Sequence, residues 1–267
     1  FLMKEMVWHV VGNVVSRIFY RSLGPLTIAK IQRPRQIDFG WLKKFRKTHR
    51  TLTTYIEPGL TTKLPTGKLG ISVEPYAHSC SSLVDLSGDS QKILESFSQK
   101  TRYNIVHTLK KNDISITTVA LNKLSQKQTD EFFTLHESWS KQKNVIGHPL
   151  YLLQAILKCY GQSGDLHLCY KGSTLVGSLL ILYHNHVATY YAAFASDDGY
   201  HLYAPTLLTW TAMQTAKAKG CDIFDFGGIY DPRYPKMYKN WQGFTKFKSG
   251  FNPTVVYYPP TTLQLFW

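Results

Sequence analysis

The chain has 267 residues, 43% hydrophobic and 18% charged, which supplies a packed core and excludes a disordered segment. Lys and Arg number 31 against 17 Asp and Glu, a net charge of +14, which favours an anionic partner: a nucleic acid, a nucleotide-linked substrate or an acidic membrane surface. No apolar run reaches transmembrane length, and Cys80, Cys159, Cys169 and Cys221 form neither a C-x-x-C pair nor a zinc-knuckle spacing, so four buried, reduced thiols in a cytoplasmic protein are expected.

The opening FLMKEMVWHVVGNVV has one Lys and no cleavage-site pattern, unlike a signal peptide; starting at Phe1, the chain reads as a fragment or a trimmed form. LTIAKIQR, 26–33, reads as a strand closed by Pro34. In 37–50, Phe39, Leu42 and Phe45 recur at helical spacing among Lys43, Lys44, Arg46 and Lys47, which predicts a basic amphipathic helix. LTTYIEPG is a strand ending at Pro58-Gly59, and 60–70 a polar loop. Ser87 or Asp89 caps the next helix, whose apolar stripe is Ile93, Phe97, Ile105 and Leu109 and whose charges are Lys100, Arg102, His107, Lys110 and Lys111. ISITTVA follows as a strand; Ser125 and Gln128 form a capping box for a helix with Phe132, Leu135, His136 and Trp139. Pro149 starts a further helix and Gly161 ends it.

From 165 the pattern is plain. DLHLCYK, TLVGSLLILYH and HVATYYAAFAS are three strands joined by tight turns at Gly172-Ser173 and His184-Asn185, an antiparallel meander. Pro205 opens a helix ending at Lys219-Gly220, and CDIFDFGG is a strand able to lie parallel to the meander's last one. Meander, helix, parallel strand is the core order of the GNAT acyltransferase fold, and the first half repeats it faintly.

A GNAT enzyme seats the pyrophosphate of acyl-CoA on backbone N–H groups at a Gly-rich turn. The matching segment, ASDDGYHLYAP, has one Gly and two adjacent carboxylates, Asp197 and Asp198, which argues against CoA. Asp222, Asp225 and Asp231 surround DFGG at a spacing that suits turn caps better than a metal, and no metal is expected. Gly227-Gly228 permits close approach of a backbone or a ligand, or simply a turn. His184, His186 and His201 are bases or solvated turn residues, and of Tyr190 and Tyr191 one points inward and one outward. In GFTKFKSGF, 243–251, Phe244, Phe247 and Phe251 interleave with Lys246 and Lys248 as in an edge strand or groove floor; an extended segment would place Phe247 and Lys248 on opposite faces.

Three stretches resemble the FemABX peptidoglycan-bridge aminoacyltransferases: VDLSGDSQKILESFSQKTRYNI, YYAAFASDDGYHLYAPTLLTWTAMQTAKAKGCDIFDFGGI and FTKFKSGFNPTVVYYP. The resemblance covers about 80–267 and is carried most distinctively by K-T-R-Y-N and by D-F-G-G with the later F-K. It implies an α/β (α+β) fold of two GNAT-like domains, each a mixed, mainly antiparallel sheet flanked by helices, with 1–78 plus 249–267 in the first and 79–248 in the second. It implies transfer of an amino acid from aminoacyl-tRNA to an amine of a UDP-linked or lipid-linked peptidoglycan precursor, without a cofactor, by a cytoplasmic monomer in peripheral contact with the inner membrane face. Carried over, Phe247 and Lys248 lie in the catalytic groove, with Asp225 a candidate base. Lys143, His148 and Tyr151, from the segment where the family places a diphosphate-binding Arg, join Tyr190, Tyr200 and Arg102 as substrate-binding candidates. Lys4 is the first-domain candidate. The rival readings are an acyl-CoA N-acyltransferase on the same scaffold and a non-catalytic binder of RNA or cell-wall precursor.

Overall fold

The computed structural model describes residues 5–11, 14–62, 70–75, 78–111, 113–145 and 147–265; Lys4 and most of the 60–70 loop lie outside them. In chain order the elements are β1 (Glu5–Val11), β2 (Val14–Leu23), β3 (Leu26–Gln32), α1 (Phe39–Thr48), β4 (Thr51–Glu57), β5 (Ile71–Val73) and β6 (Cys80–Asp85). Then follow α2 (Ser90–Ser96), α3 (Gln99–Lys111), β7 (Ser115–Ala120), α4 (Gln126–Lys143), α5 (Leu150–Tyr160), β8 (Gly164–Lys171), β9 (Thr174–His184) and β10 (Val187–Ala195). The last are α6 (Asp197–His201), α7 (Ala204–Ala218), β11 (Ile223–Gly228), α8 (Gln242–Ser249), β12 (Thr254–Tyr257) and β13 (Thr261–Leu265).

The chain forms two compact units: Phe1–Cys80 with Tyr230–Lys239 and Val256–Trp267, and Ser81–Ile229 with Asn240–Val255. The first contains a six-stranded sheet, ordered β1-β2-β3-β4-β13-β5, in which β3 and β4 are parallel and the other pairs antiparallel. Its core is Ile18, Ala29, Ile31, Ile56 and the inward stripe of α1, Leu42 and Phe45. Asp38 caps α1 by accepting from the Trp41 N–H at 2.9 Å. The second unit is built on a seven-stranded sheet ordered β12-β6-β11-β10-β9-β8-β7. Its meander, β8 to β10, is antiparallel, and β11 joins β10 in parallel.

Alternation along the meander sorts side chains to two cores. Leu179, Ile181 and Ala188 meet α7 on one face, while Leu166, Leu168, Leu180 and Phe194 meet α4 and α5 on the other. With both faces covered, Tyr190 and Tyr191 each pack against a core, so neither is simply outward as alternation alone suggests. The capping box at Ser125 and Gln128 is present, and Asp89 rather than Ser87 caps the 90s helix. That helix is two: it breaks at Phe97-Ser98, and α3 restarts with Thr101, Asn104, Ile105 and Thr108 inward. Leu109 falls outside the core stripe, at 57% exposure, because the inward face of α3 runs from Ile105 to Thr108. Of the cysteines, Cys80, Cys169 and Cys221 are buried, whereas Cys159 is exposed, away from the inward residues Leu153, Ile156 and Leu157 of α5.

Buried polar groups on the α7 face are paired with one another. Asp165 accepts from Lys219 Nζ and from the Tyr183 hydroxyl, the latter at 2.8 Å. His167 is fully buried, with its Nδ1 2.8 Å from Thr118 Oγ1. Burial lowers its pKa from the ordinary 6.5 to about 4; Asp165 opposes the shift and Lys219 adds to it. The unfolded chain therefore binds a proton that the folded chain refuses between those values. Stability from this group is complete above pH 6.5 and is lost as pH falls toward 4, by on the order of 3 kcal/mol. Urea unfolding at pH 7 and pH 4.5 should show this loss, and His167→Leu should flatten the difference; an unchanged pH slope in the variant would contradict it.

Candidate active site

In the second unit the parallel ladder between β10 and β11 is short. It pairs Val187 with Ile223, Ala188 with Phe224 and Thr189 with Asp225, and then stops, although β10 runs on to Ala195 and β11 to Gly228. Two local causes part the strands. On β10 the register against β9 shifts between Tyr190 and Ala192, a bulge that bends the strand. On β11 Gly227 has φ +69, a left-handed conformation open to glycine, and Asp225 fixes the turn by accepting from the Gly227 N–H at 2.7 Å and from the Ser81 hydroxyl. In the first unit the parallel pair β3–β4 stays in register to Gln32 and Glu57, and Glu57 forms a 2.9 Å ion pair with Lys30.

Where a ladder ends, its carbonyls need other donors. Lys248 supplies them: its Nζ donates to Phe226 O at 2.8 Å and to Gly228 O at 2.7 Å. Lys248 is 7% exposed, with its ammonium 4.8 Å from the Phe244 ring centroid and 5.8 Å from that of Tyr190. The segment that reads as an alternating strand is the helix α8, so Lys248 does not project from an edge opposite Phe247. Helical spacing instead lets Phe244 and Lys248 share a face, while Phe247 packs edge-on against Phe251 at 5.4 Å. Tyr190 lies against Phe226 at 5.6 Å, and burial raises its phenol above the ordinary tyrosine range. Tyr190, Asp225, Gly227 and Lys248 thus meet where the strands part.

The other candidates fall into separate places. Trp139 Nε1 donates to the Tyr200 hydroxyl at 3.1 Å, and the Lys143 ammonium stands 4.6 Å from the Tyr200 ring centroid. His148 stacks on Tyr191 at 5.3 Å; burial lowers its pKa and nearby His136 lowers it further. Tyr151 is exposed on α5. Arg102 donates to the carbonyls of Glu95, at 2.8 Å, and Phe97, so it closes the α2–α3 break. Sequence reasoning missed Ser81, Phe244 and Trp139. Only Phe244 carried a signal, the four-residue spacing to Lys248 that a helical reading would have used.

Of the three aspartates, Asp231 is held in the first unit by Arg233 and the Ser79 hydroxyl. Burial pushes its carboxyl up, but these bonds outweigh burial and keep it below the usual range. The turn at 196–203 commits several of its N–H groups to nearby acceptors. Gly199 N–H donates to Ser196 Oγ at 3.1 Å, Tyr200 to Ser196 O, Leu202 to Asp198 O, and Thr206 and Leu207 to Tyr203 O. These N–H groups are occupied, beside the two carboxylates Asp197 and Asp198.

The FemAB family profile matches residues 169–261, which contain the parted strands, Asp225 and Lys248. Sequence comparison with curated proteins gives no match. Among solved structures, FemX superposes with a TM-score of 0.77 at 12% identity, over 98% of this chain and 88% of that one. L-PGS from Bacillus licheniformis gives 0.57 at 13% identity, over 97% and 83%. A tandem GNAT protein from the clavulanic acid biosynthesis pathway gives 0.55 at 8% identity, over 94% and 78%. The fold is therefore that of FemX and of tandem GNAT proteins.

Removing Lys248 should show first in stability. Lys248→Ala leaves two carbonyls of β11 without this donor and should cost about 2–4 kcal/mol in urea unfolding. A variant as stable as the parent would mean that the ammonium does not brace the parted strands.

Proposed function

We propose that this chain, whose FemAB match and FemX-like fold support its assignment to the FemABX family, is an aminoacyltransferase acting in peptidoglycan bridge formation. The donor is an aminoacyl-tRNA and the acceptor an amine on the stem peptide of a UDP-linked or lipid-linked precursor; the protein works in the cytoplasm. The observation that carries the reading is the buried Lys248 ammonium at the point where β10 and β11 part, inside the FemAB-matched segment.

The acceptor amine attacks the ester carbonyl of the donor. A tetrahedral oxyanion forms and collapses to an amide, expelling the ribose oxygen, which is protonated to a hydroxyl. The positive charge of Lys248, fixed by two carbonyls and poorly hydrated, is organised before the reaction and favours charge developing beside it. The two bonds that Asp225 accepts make it a brace for the Gly227 turn. A phosphate or carboxylate of the substrate takes the proton of the attacking amine and returns it to the departing ribose oxygen. Tyr200, with Lys143 against its ring, and His148 on Tyr191 offer cationic and aromatic contacts to the precursor. The charge of +14 suits an RNA donor, whose phosphates supply most of such affinity.

The rival acyl-CoA reading is disfavoured by the adjacent carboxylates Asp197 and Asp198 and by the occupied N–H groups of Gly199, Tyr200, Leu202 and Tyr203. Transfer from mixed tRNA charged with radiolabelled Gly, Ala or Ser to UDP-linked and lipid-linked precursors tests the proposal, with CoA titrated by calorimetry alongside. Label should appear in a precursor, and CoA should give no heat of binding. Saturable CoA binding without transfer would overturn the proposal. Lys248→Met, assayed where the variant is fully folded, should lose on the order of 10²–10³ in rate; full activity would remove Lys248 from the mechanism.

A further inference from the structure

One of the two carbonyls that hold Lys248 belongs to Gly228, which follows Gly227, so the backbone aiming that carbonyl has more freedom than the rest of β11. An ammonium 2.7 Å from a carbonyl loses the bond if the carbonyl moves by about 1 Å. The glycine pair therefore needs an anchor on each side. Before it, Asp225 accepts from the Gly227 N–H and from the Ser81 hydroxyl. After it comes Asp231, fully buried, whose carboxylate accepts from the Ser79 hydroxyl. Ser81 is the residue of β6 paired with Gly228, and Ser79 stands just before β6 begins. The tie from Ser79 to Asp231 thus carries the pairing of β6 with β11 past its last step, and Cys80 Sγ donates to Tyr230 O at 3.8 Å between them.

Arg233 holds this second anchor. Its backbone N–H and its Nε donate to Asp231 Oδ1 at 2.8 and 3.1 Å, and its Nη2 donates to Oδ2 at 2.8 Å. The rest of the guanidinium reaches two carbonyls, Ser79 O from Nη2 at 2.8 Å and Tyr258 O from Nη1 at 3.2 Å. We propose that Arg233 is a positioning residue for Lys248: it clamps Asp231 to Ser79, fixes the exit of β11, and so fixes the Gly228 carbonyl that aims the ammonium. The clamp needs a planar fork, because a point charge cannot hold a carboxylate edge and two carbonyls at once. Its consequence for transfer rests on the function proposed above; its consequence for Lys248 does not.

Trace labelling of the lysines of the full chain with acetic anhydride, read by mass spectrometry, tests it. Lys217 is the internal control: its ammonium also donates to a backbone carbonyl, Leu86 O at 2.7 Å, beyond the opposite end of β6. In Arg233→Met, Lys248 should label about tenfold faster than in the parent, and Arg233→Lys should not restore its protection. Ser79→Ala, which removes a single bond to Asp231, should speed it about fourfold, and Lys217 should stay within about twofold throughout. In transfer assays Arg233→Met should lower kcat about tenfold and leave KM for tRNA and for precursor within about twofold. Parental labelling of Lys248 in the variants, or a rise at Lys217 equal to that at Lys248, would overturn the proposal. If Arg233→Met does not fold, the labelling of Ser79→Ala decides alone. A parent without transfer activity would overturn the proposed function, and the labelling would still decide the role of Arg233.

Discussion

The second unit depends on the place where one parallel ladder stops. Two parallel strands that diverge leave backbone groups that neither strand can satisfy for the other. Here a bulge at Tyr190–Ala192 and a left-handed Gly227 part β10 from β11, and one ammonium answers two carbonyls of β11 beyond the last paired residue, those of Phe226 and Gly228. The same residue that makes the divergence tolerable puts a fixed positive charge at its mouth. Structural brace and chemical group therefore coincide at Lys248, and any account of the site has to separate its effect on folding from its effect on rate.

The surrounding elements serve that arrangement. The Phe224, Phe226, Tyr190 and Phe251 rings pack around the diverging end of β11 and keep water from competing for the carbonyls. Helix α8 carries Lys248 inward, with Phe244 one turn earlier over its ammonium. The glycine at 199 shows how closely the next turn is fitted: a Cβ there would lie 2.1 Å from Val176 O, so α6 packs on β9 without room for a side chain.

Much of this was legible in the sequence. The meander, the helix after it and the parallel β11 follow from alternation and from turn residues, which are local signals. The capping box at Ser125 was readable for the same reason. Lys248 could be singled out, but its surroundings could not. GFTKFKSGF alternates like a strand, and only tertiary contact, Phe251 against Phe97 and Phe226, shows that its aromatics serve a helix and its exit. The break at Phe97-Ser98 was hidden because both halves have helical periodicity, and Leu109 was read as core because it stands four residues after Ile105, although Thr108 takes the inward position. The Ser81–Asp225 contact joins positions 144 residues apart and leaves no local trace.

The most direct test of the account is where a donor's aminoacyl group sits. A tRNA charged with a photoreactive amino acid, such as benzoylphenylalanine, should on irradiation label peptides from 187–195 and 223–250, which border the parted strands. Labelling should fall when unmodified aminoacyl-tRNA is added as competitor. Labelled peptides confined to other parts of the chain, or labelling that competitor does not reduce, would contradict a donor site at the divergence of β10 and β11.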